Sequence, residues 1–251
     1  MRVDLNSDLG ETVAGVPTAD DDAMFELITS ANIACGFHAG DAESMRASCE
    51  RAARTGVTIG AHVSYRDPVS FGRTDIPVAR DTLVDDVLEQ LTALQAVASC
   101  AGTGIRYVKP HGALYNRIMR DPVRADAVAE AIARFSPGLP LMGLAGSAAE
   151  QAAERHGLPF VHEAFADRAY LRDGSLVPRT RPGAVLRGGD EVARRATSMV
   201  TEGRVVAIDG TELRVSVRSL CIHGDTEGSV EMARAVRRSL EAAGVTIAAF
   251  A

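Results

Sequence analysis

Short apolar runs alternate with longer stretches of helical period from one end of the chain to the other. The runs at 2–6, 31–37, 57–63, 106–110, 140–144, 160–166 and 219–223 predict strands. Helix start signals lie between them. Asp41 precedes AESMRASCERAAR, Asp81 precedes TLVDDVLEQLTALQAVAS, Asp121 is followed by Pro122, and Ser147 with Glu150 makes a capping box. Asp190 and Ser229 open the last two helices. Strand and helix alternating this often predicts a parallel sheet with helices outside it. Seven strands in one array of this length fit a closed (β/α) barrel better than an open sheet. No Pro/Ser-rich linker and no repeat interrupts the pattern, so residues 1–251 read as one domain. Two stretches, 64–80 and 167–189, exceed ordinary connections and predict binding loops or lids. Asp209-Gly210 predicts the turn of a hairpin across 204–217.

Composition narrows the class. With 251 residues the chain can bury a large core without staples, and its net charge of −6 with no Lys/Arg stripe points to a small-molecule ligand. Nucleic acid and anionic membrane fit poorly as main partners. Cys35, Cys49, Cys100 and Cys221 form no C-x-x-C and read as reduced thiols. The N-terminus is polar by its fourth residue and no run of 18 apolar residues occurs, which predicts a cytoplasmic protein. Among 27 basic residues stands a single lysine, Lys109. Lysine and arginine differ in shape and hydration, so that position suits a role an arginine cannot fill.

The candidate chemistry collects at strand ends. His38, His62, His111 and His223 each follow an apolar run, at the end where parallel α/β proteins place their sites. His162 lies inside its strand and can face the helices; His156 ends a helix. Alternation in VDLNSD puts Asp4, Asn6 and Asp8 on one face, an odd content for a buried strand. Lys109 and His111 share a parity, as do Glu163 and Asp167. Such carboxylate and histidine sets serve either proton transfer or a divalent cation. Arginines crowd both long loops, Arg66 and Arg73 in one, Arg168, Arg172, Arg179, Arg181 and Arg187 in the other, and suit a carboxylate or phosphate. No P-loop, G-x-S-x-G or H-E-x-x-H occurs, and Gly102-Thr-Gly104 precedes its strand.

DLNSDLGE (4–11), NIACGFHAGD (32–41), GAHVSYRD (60–67) with FGR (71–73), VKPHGALYN (108–116), EAFADRAY (163–170) and CIHGD (221–225) together resemble the LamB/YcsF family. The resemblance runs from residue 4 to 225 in the family's order. It implies a seven-stranded (β/α) barrel similar to polysaccharide deacetylases. It also implies ATP-dependent opening of 5-oxoproline to L-glutamate, carried out with separate B and C subunits, with Mg2+ accompanying ATP. On that reading Asp8, His38, His62, Lys109 and His111 are the expected catalytic residues. Asp4, Asn6, Arg73, Tyr115, Asn116, Glu163, Asp167, Arg168 and His223 are expected around the substrate. Two alternatives stand beside it: an ATP-independent, metal-dependent hydrolase, and a non-catalytic subunit that binds the lactam for its partners.

Overall fold

The computed structural model describes residues 1–251. The chain begins with β1 (Arg2–Leu9), a small hairpin β2 (Thr12–Val13) and β3 (Val16–Pro17), and a short α1 (Asp21–Phe25). Strands and helices then alternate: β4 (Ser30–Ala34), α2 (Ala42–Thr55), β5 (Thr58–His62), α3 (Arg80–Cys100), β6 (Ile105–Val108), α4 (Gly112–Ile118) and α5 (Pro122–Phe135). They continue with β7 (Leu141–Gly143), α6 (Ala148–Arg155), β8 (Phe160–Phe165) and α7 (Gly189–Thr201). An antiparallel hairpin, β9 (Arg204–Val206) and β10 (Glu212–Arg214), leads to β11 (Ser219–Cys221), α8 (Ser229–Ala242) and β12 (Thr246–Ile247).

Strands β1, β4, β5, β6, β7, β8 and β11 are parallel neighbours in that order, and β11 pairs back onto β1. The result is the closed seven-stranded barrel that the alternation predicts. Strand β12 pairs with Arg2 and Val3 at the start of β1. It brings Phe250 beneath the barrel, against Tyr107 and with Met142 and Val161 close by, as an apolar plug. No helix is long and apolar enough to cross a membrane.

One parity rule organises the interior. Val3, Leu5, Ile33, Ile59, Val108, Ala164 and Leu220 turn outward into a single core shared with the helices. The alternating residues turn inward and are mostly polar, so above its plug the barrel is filled by hydrogen-bonded side chains. Apolar residues on both faces are the rule for parallel strands. Here a polar interior is tolerable because its groups, Glu163 Oε2 apart, find partners across the barrel. At the lowest level Asp4 accepts from Thr29 Oγ1 at 2.6 Å, Ser30 Oγ at 2.6 Å and Ser219 Oγ. Above it Asn32 donates to Asn6 and Asp8, both at 2.8 Å, while Tyr107 donates to Asn32 at 2.6 Å. Tyr107 lies directly across Gly60, where a Cβ would come within 2.2 Å of its ring. Only glycine leaves that space.

The boundaries shift in ways the local chemistry explains. Strand β1 runs through Leu9, so Asp4, Asn6 and Asp8 all lie within it. Helix α3 starts at Arg80 after Ala79, which places Asp81 in the first turn rather than at the cap. Asp190 and Ser229 likewise sit inside helices whose caps are Gly188 and Gly228. A first-turn acid favours the helix dipole as a cap does, and sequence alone does not separate the two positions. Asp41 caps α2 in a box closed by Ser44, and Asp121 accepts from Val123 and Arg124 at the start of α5. Both long stretches lack regular elements, apart from isolated bridges Arg168 to Val185 and Tyr170 to Leu176.

Candidate functional site

The C-terminal ends of the barrel strands open into a cavity of about 370 Å³. Its floor and walls carry Asp8, His62, Lys109, His111, Phe165 and His223, and the second long loop roofs it with Leu176 to Thr180. Arg73, Tyr115, Asn116, Arg120 and Arg168 also line it.

Lys109 stands at the centre of the inner network. Its ammonium lies 3.0 Å from Asp8 Oδ1, 2.9 Å from Glu163 Oε1, 3.1 Å from Asn6 Oδ1 and 3.0 Å from Cys221 Sγ. Three hydrogens face four acceptors, so this lysine is spent within the protein. Burial would lower its pKa, but Asp8 and its other neighbours outweigh burial and hold the ammonium well above the usual lysine range. A guanidinium would not fit this compact cage, which accounts for the one lysine of the sequence. Burial raises the Asp8 carboxyl, yet the His62 and Lys109 charges overcome it and hold Asp8 well below the usual carboxylate range.

On the β1, β4, β5 and β6 side, Glu11 and three imidazoles gather. Gly10 ends β1 in the left-handed region and the chain turns so that the buried Glu11 lies against them. Glu11 Oε1 is 3.0 Å from His38 Nε2, 3.4 Å from His111 Nδ1 and 3.9 Å from His62 Nε2. The His38 and His111 rings stack at 3.9 Å, and His62 stands edge-on to both. Gly72 from the first long loop closes on this stack; a Cβ there would meet His111 and His38 at 2.8 Å. Burial and the Asp8 charge push Glu11 up to about 7. Burial depresses His38 and His111 well below the ordinary imidazole value, while Asp8 raises His62 against its burial.

The β8 and β11 side is built differently. His223 Nδ1 lies 3.0 Å from both oxygens of the buried Asp167, so its N–H donates to that carboxylate and Nε2 is left for the cavity. The ring is stacked on Phe165 at 5.5 Å, which fixes its plane. Burial raises Asp167, but the His223, Arg179 and Arg168 charges hold it below its ordinary value. Arg168 is 5% exposed and makes no ion pair; Nε and Nη2 donate to Ala184 O at 3.3 Å and Val177 O at 2.7 Å. Burial and the neighbouring Arg179 lower its pKa to about 10. Arg73 and Arg179, by contrast, converge on Asp225 at 2.6 and 3.0 Å.

The residues expected from the sequence divide accordingly. Asp8, His62, Lys109, His111, Arg73, Tyr115, Asn116, Arg168 and His223 line the cavity. Asp4, Asn6 and Glu163 lie beneath it, in the polar filling, and His38 and Asp167 lie behind Glu11 and His223. Asn116 is exposed and donates back to Gly112 O within α4. Tyr115 Oη and Glu163 Oε2 are buried without a hydrogen-bond partner. His162 does face the helices, 2.8 Å from Glu150 of α6. Glu11, Asn32, Tyr107 and Asp225 are missing from the expected set. Glu11 follows the turn at Gly10 and so escapes strand parity, although it closes the acidic block 4–11. Cys221 is an inward, buried thiol raised by burial, not an activated one.

Comparison with known proteins gives a consistent picture. Residues 3–251 match the model of the LamB/YcsF family. A relative from Mycobacterium avium (strain 104), named as the A subunit of 5-oxoprolinase, is 54% identical over 248 residues, 99% of this chain and 98% of its own length. The protein of the same name from Paracidovorax citrulli is 53% identical over the full length of both. Among solved structures, the lactam utilization protein from Thermus thermophilus superposes with a TM-score of 0.94 at 45% identity, covering 100% of both chains. A barrel with this polar filling, carrying all six sequence blocks around one mouth, belongs to the LamB/YcsF family.

Proposed function

We propose that this chain is the A subunit of a 5-oxoprolinase, opening 5-oxo-L-proline to L-glutamate with B and C subunits while ATP is hydrolysed. The names of its relatives support the reaction class. The observation that carries the reading is one cavity holding both an acid-oriented imidazole, His223 on Asp167, and a buried guanidinium without an acid, Arg168. Asp167 acts on this buried cation only from beyond ion-pair distance, which leaves a place for an anionic ligand to make the direct contact. The carboxylate of 5-oxoproline makes that contact through a forked hydrogen bond. With it anchored there, the lactam ring lies between Arg168 and the floor formed by Asp8, His62 and Lys109.

Ring opening adds one water across the amide. Its hydroxyl goes to the carbonyl carbon, the carbon–nitrogen bond breaks, and the second proton ends on the departing nitrogen. His223 suits that proton traffic: Asp167 fixes its tautomer and stabilises the imidazolium while Nε2 takes a proton and returns it. Lys109 works through its neighbours, keeping Asp8 ionised beneath the substrate.

The donors of this mouth do not match a triphosphate. Arg73 and Arg179 are neutralised by Asp225, Arg120 pairs with Ser175 and lies 4.0 Å from Asp173, and Arg168, held by backbone carbonyls, alone has no acid within ion-pair distance. We therefore assign ATP and its Mg2+ to the partner subunits. The test is reconstitution with B and C subunits, 5-oxoproline, ATP and magnesium, omitting each component in turn. Glutamate formed only in the complete mixture supports the reading. Glutamate formed by this chain without ATP would replace it with the metal-dependent hydrolase.

A further inference from the structure

The histidine cluster holds two ring nitrogens face to face in a way that only a shared proton or a metal ion satisfies. His62 Nδ1 lies 2.9 Å from Lys109 O, and His111 Nε2 lies 2.9 Å from Phe71 O. A carbonyl oxygen only accepts, so each of these ring nitrogens carries the hydrogen. The other two nitrogens, His62 Nε2 and His111 Nδ1, then present lone pairs to each other at 2.9 Å. Two bare acceptors at hydrogen-bond distance need a cation between them. Carboxylates flank the pair: Asp8 Oδ2 is 3.3 Å from His62 Nε2, and Glu11 Oε1 is 3.4 Å from His111 Nδ1.

We propose that Glu11, His62 and His111, with Asp8 beside them, hold a divalent first-row transition-metal ion of the zinc or cobalt(II) class. The three separations among Glu11, His62 and His111 are 2.9, 3.4 and 3.9 Å. Donors bound at about 2.0–2.1 Å around a tetrahedral ion stand about 3.3 Å apart, so the observed set brackets the required edge. Imidazole nitrogen beside carboxylate selects such ions over magnesium and calcium, which take oxygen. The outer N–H of each histidine on a backbone carbonyl is the support that metal-ligating imidazoles use. His38 stacks parallel to His111, so their lone pairs cannot both lie in plane with one ion. It is the positioning residue that braces Glu11, bonded through Nδ1 to Ser64 Oγ at 3.0 Å. All four side chains are buried, and no acid–base role for them is used in the lactam reading, which stands or falls separately.

The test is a titration of the full chain, stripped by a chelator, with Co2+ and with Zn2+, read by calorimetry and by Co2+ visible absorption. One ion per chain is expected, with the absorption of a low-coordinate nitrogen–oxygen site that Zn2+ abolishes. His111→Gln and Glu11→Gln should weaken Co2+ binding by more than about 100-fold, and His38→Gln by about 10–100-fold. His156→Gln, at the far end of α6, should leave it unchanged. Circular dichroism checks each variant; if His111→Gln does not fold, the wild-type titration and Glu11→Gln decide. The proposal is overturned by wild-type binding weaker than about 1 mM, which would mean that a proton joins the two imidazoles, or by tight binding that survives Glu11→Gln and His111→Gln.

Discussion

The two halves of the barrel mouth are made from the same residue types and are put together in opposite ways. Around Glu11, His38, His62 and His111 every side chain is buried and bonded to its neighbours, with their polar atoms within 4.8 Å of one another. Around Asp167, Arg168 and His223 the inner atoms are anchored and the outer ones are not: one imidazole nitrogen and part of a guanidinium are left facing the cavity. A closed set of donors and acceptors suits an ion or a proton. An open set suits a molecule that must enter and leave. Burial alone does not tell the two apart, since Arg168 is as buried as His111; what differs is where the hydrogen bonds end.

Lys109 joins the halves, and removing it should have the largest effect. Lys109→Met strips the counter-charge from Asp8 and Glu163, two carboxylates buried inside the barrel. Breaking a buried pair in this way costs about 3–5 kcal/mol. The variant should therefore lose stability as well as turnover, visible in urea unfolding. A fold of unchanged stability would show that the carboxylates take up protons without cost and that the centre is not an ionic one.

On the open half, His223→Asn should cut kcat in the reconstituted enzyme by about 10²–10⁴-fold, the range for a positioned acid–base group. The protein should still fold and bind the lactam. Unchanged kcat would move the proton transfer to the other half of the mouth. A smaller effect concerns acid stability. Asp167 has a lowered pKa in the folded state, so its contribution is complete above the ordinary aspartate value and is lost as pH falls through the folded one. The urea midpoint difference between wild type and Asp167→Asn should shrink steadily from about pH 5 into acid, about pH 3 being the useful limit. A difference that stays constant would assign Asp167 no ionic role.

Much of this arrangement is readable in the chain itself. The polar row Asp4, Asn6 and Asp8 follows from alternation, because a strand whose outer face must meet helices has only one face left for carboxylates. The histidines at strand ends point to the mouth for the same reason. What pattern cannot give is the partner of each group. Glu11 reaches the imidazoles only because Gly10 turns the chain, and Gly72 closes on them from a loop with no periodicity. The pairing of Arg73 and Arg179 with Asp225, which leaves Arg168 alone, joins three segments far apart in sequence. The plug formed by Phe250 depends on a two-residue strand too short to announce itself. Local rules place a side chain on a face; the tertiary structure decides which donors remain free.

The role given to Arg168 is open to a direct check: calorimetric binding of 5-oxoproline and of 2-pyrrolidinone, the same lactam without its carboxylate, to wild type and to Arg168→Met. A hydrogen-bonded carboxylate on Arg168 is worth about 1.5–3 kcal/mol. Wild type should therefore prefer 5-oxoproline by about 10–100-fold, and Arg168→Met should lose this preference while keeping its affinity for 2-pyrrolidinone. An equal affinity of wild type for the two lactams, or a preference that survives Arg168→Met, would contradict a carboxylate held by this guanidinium.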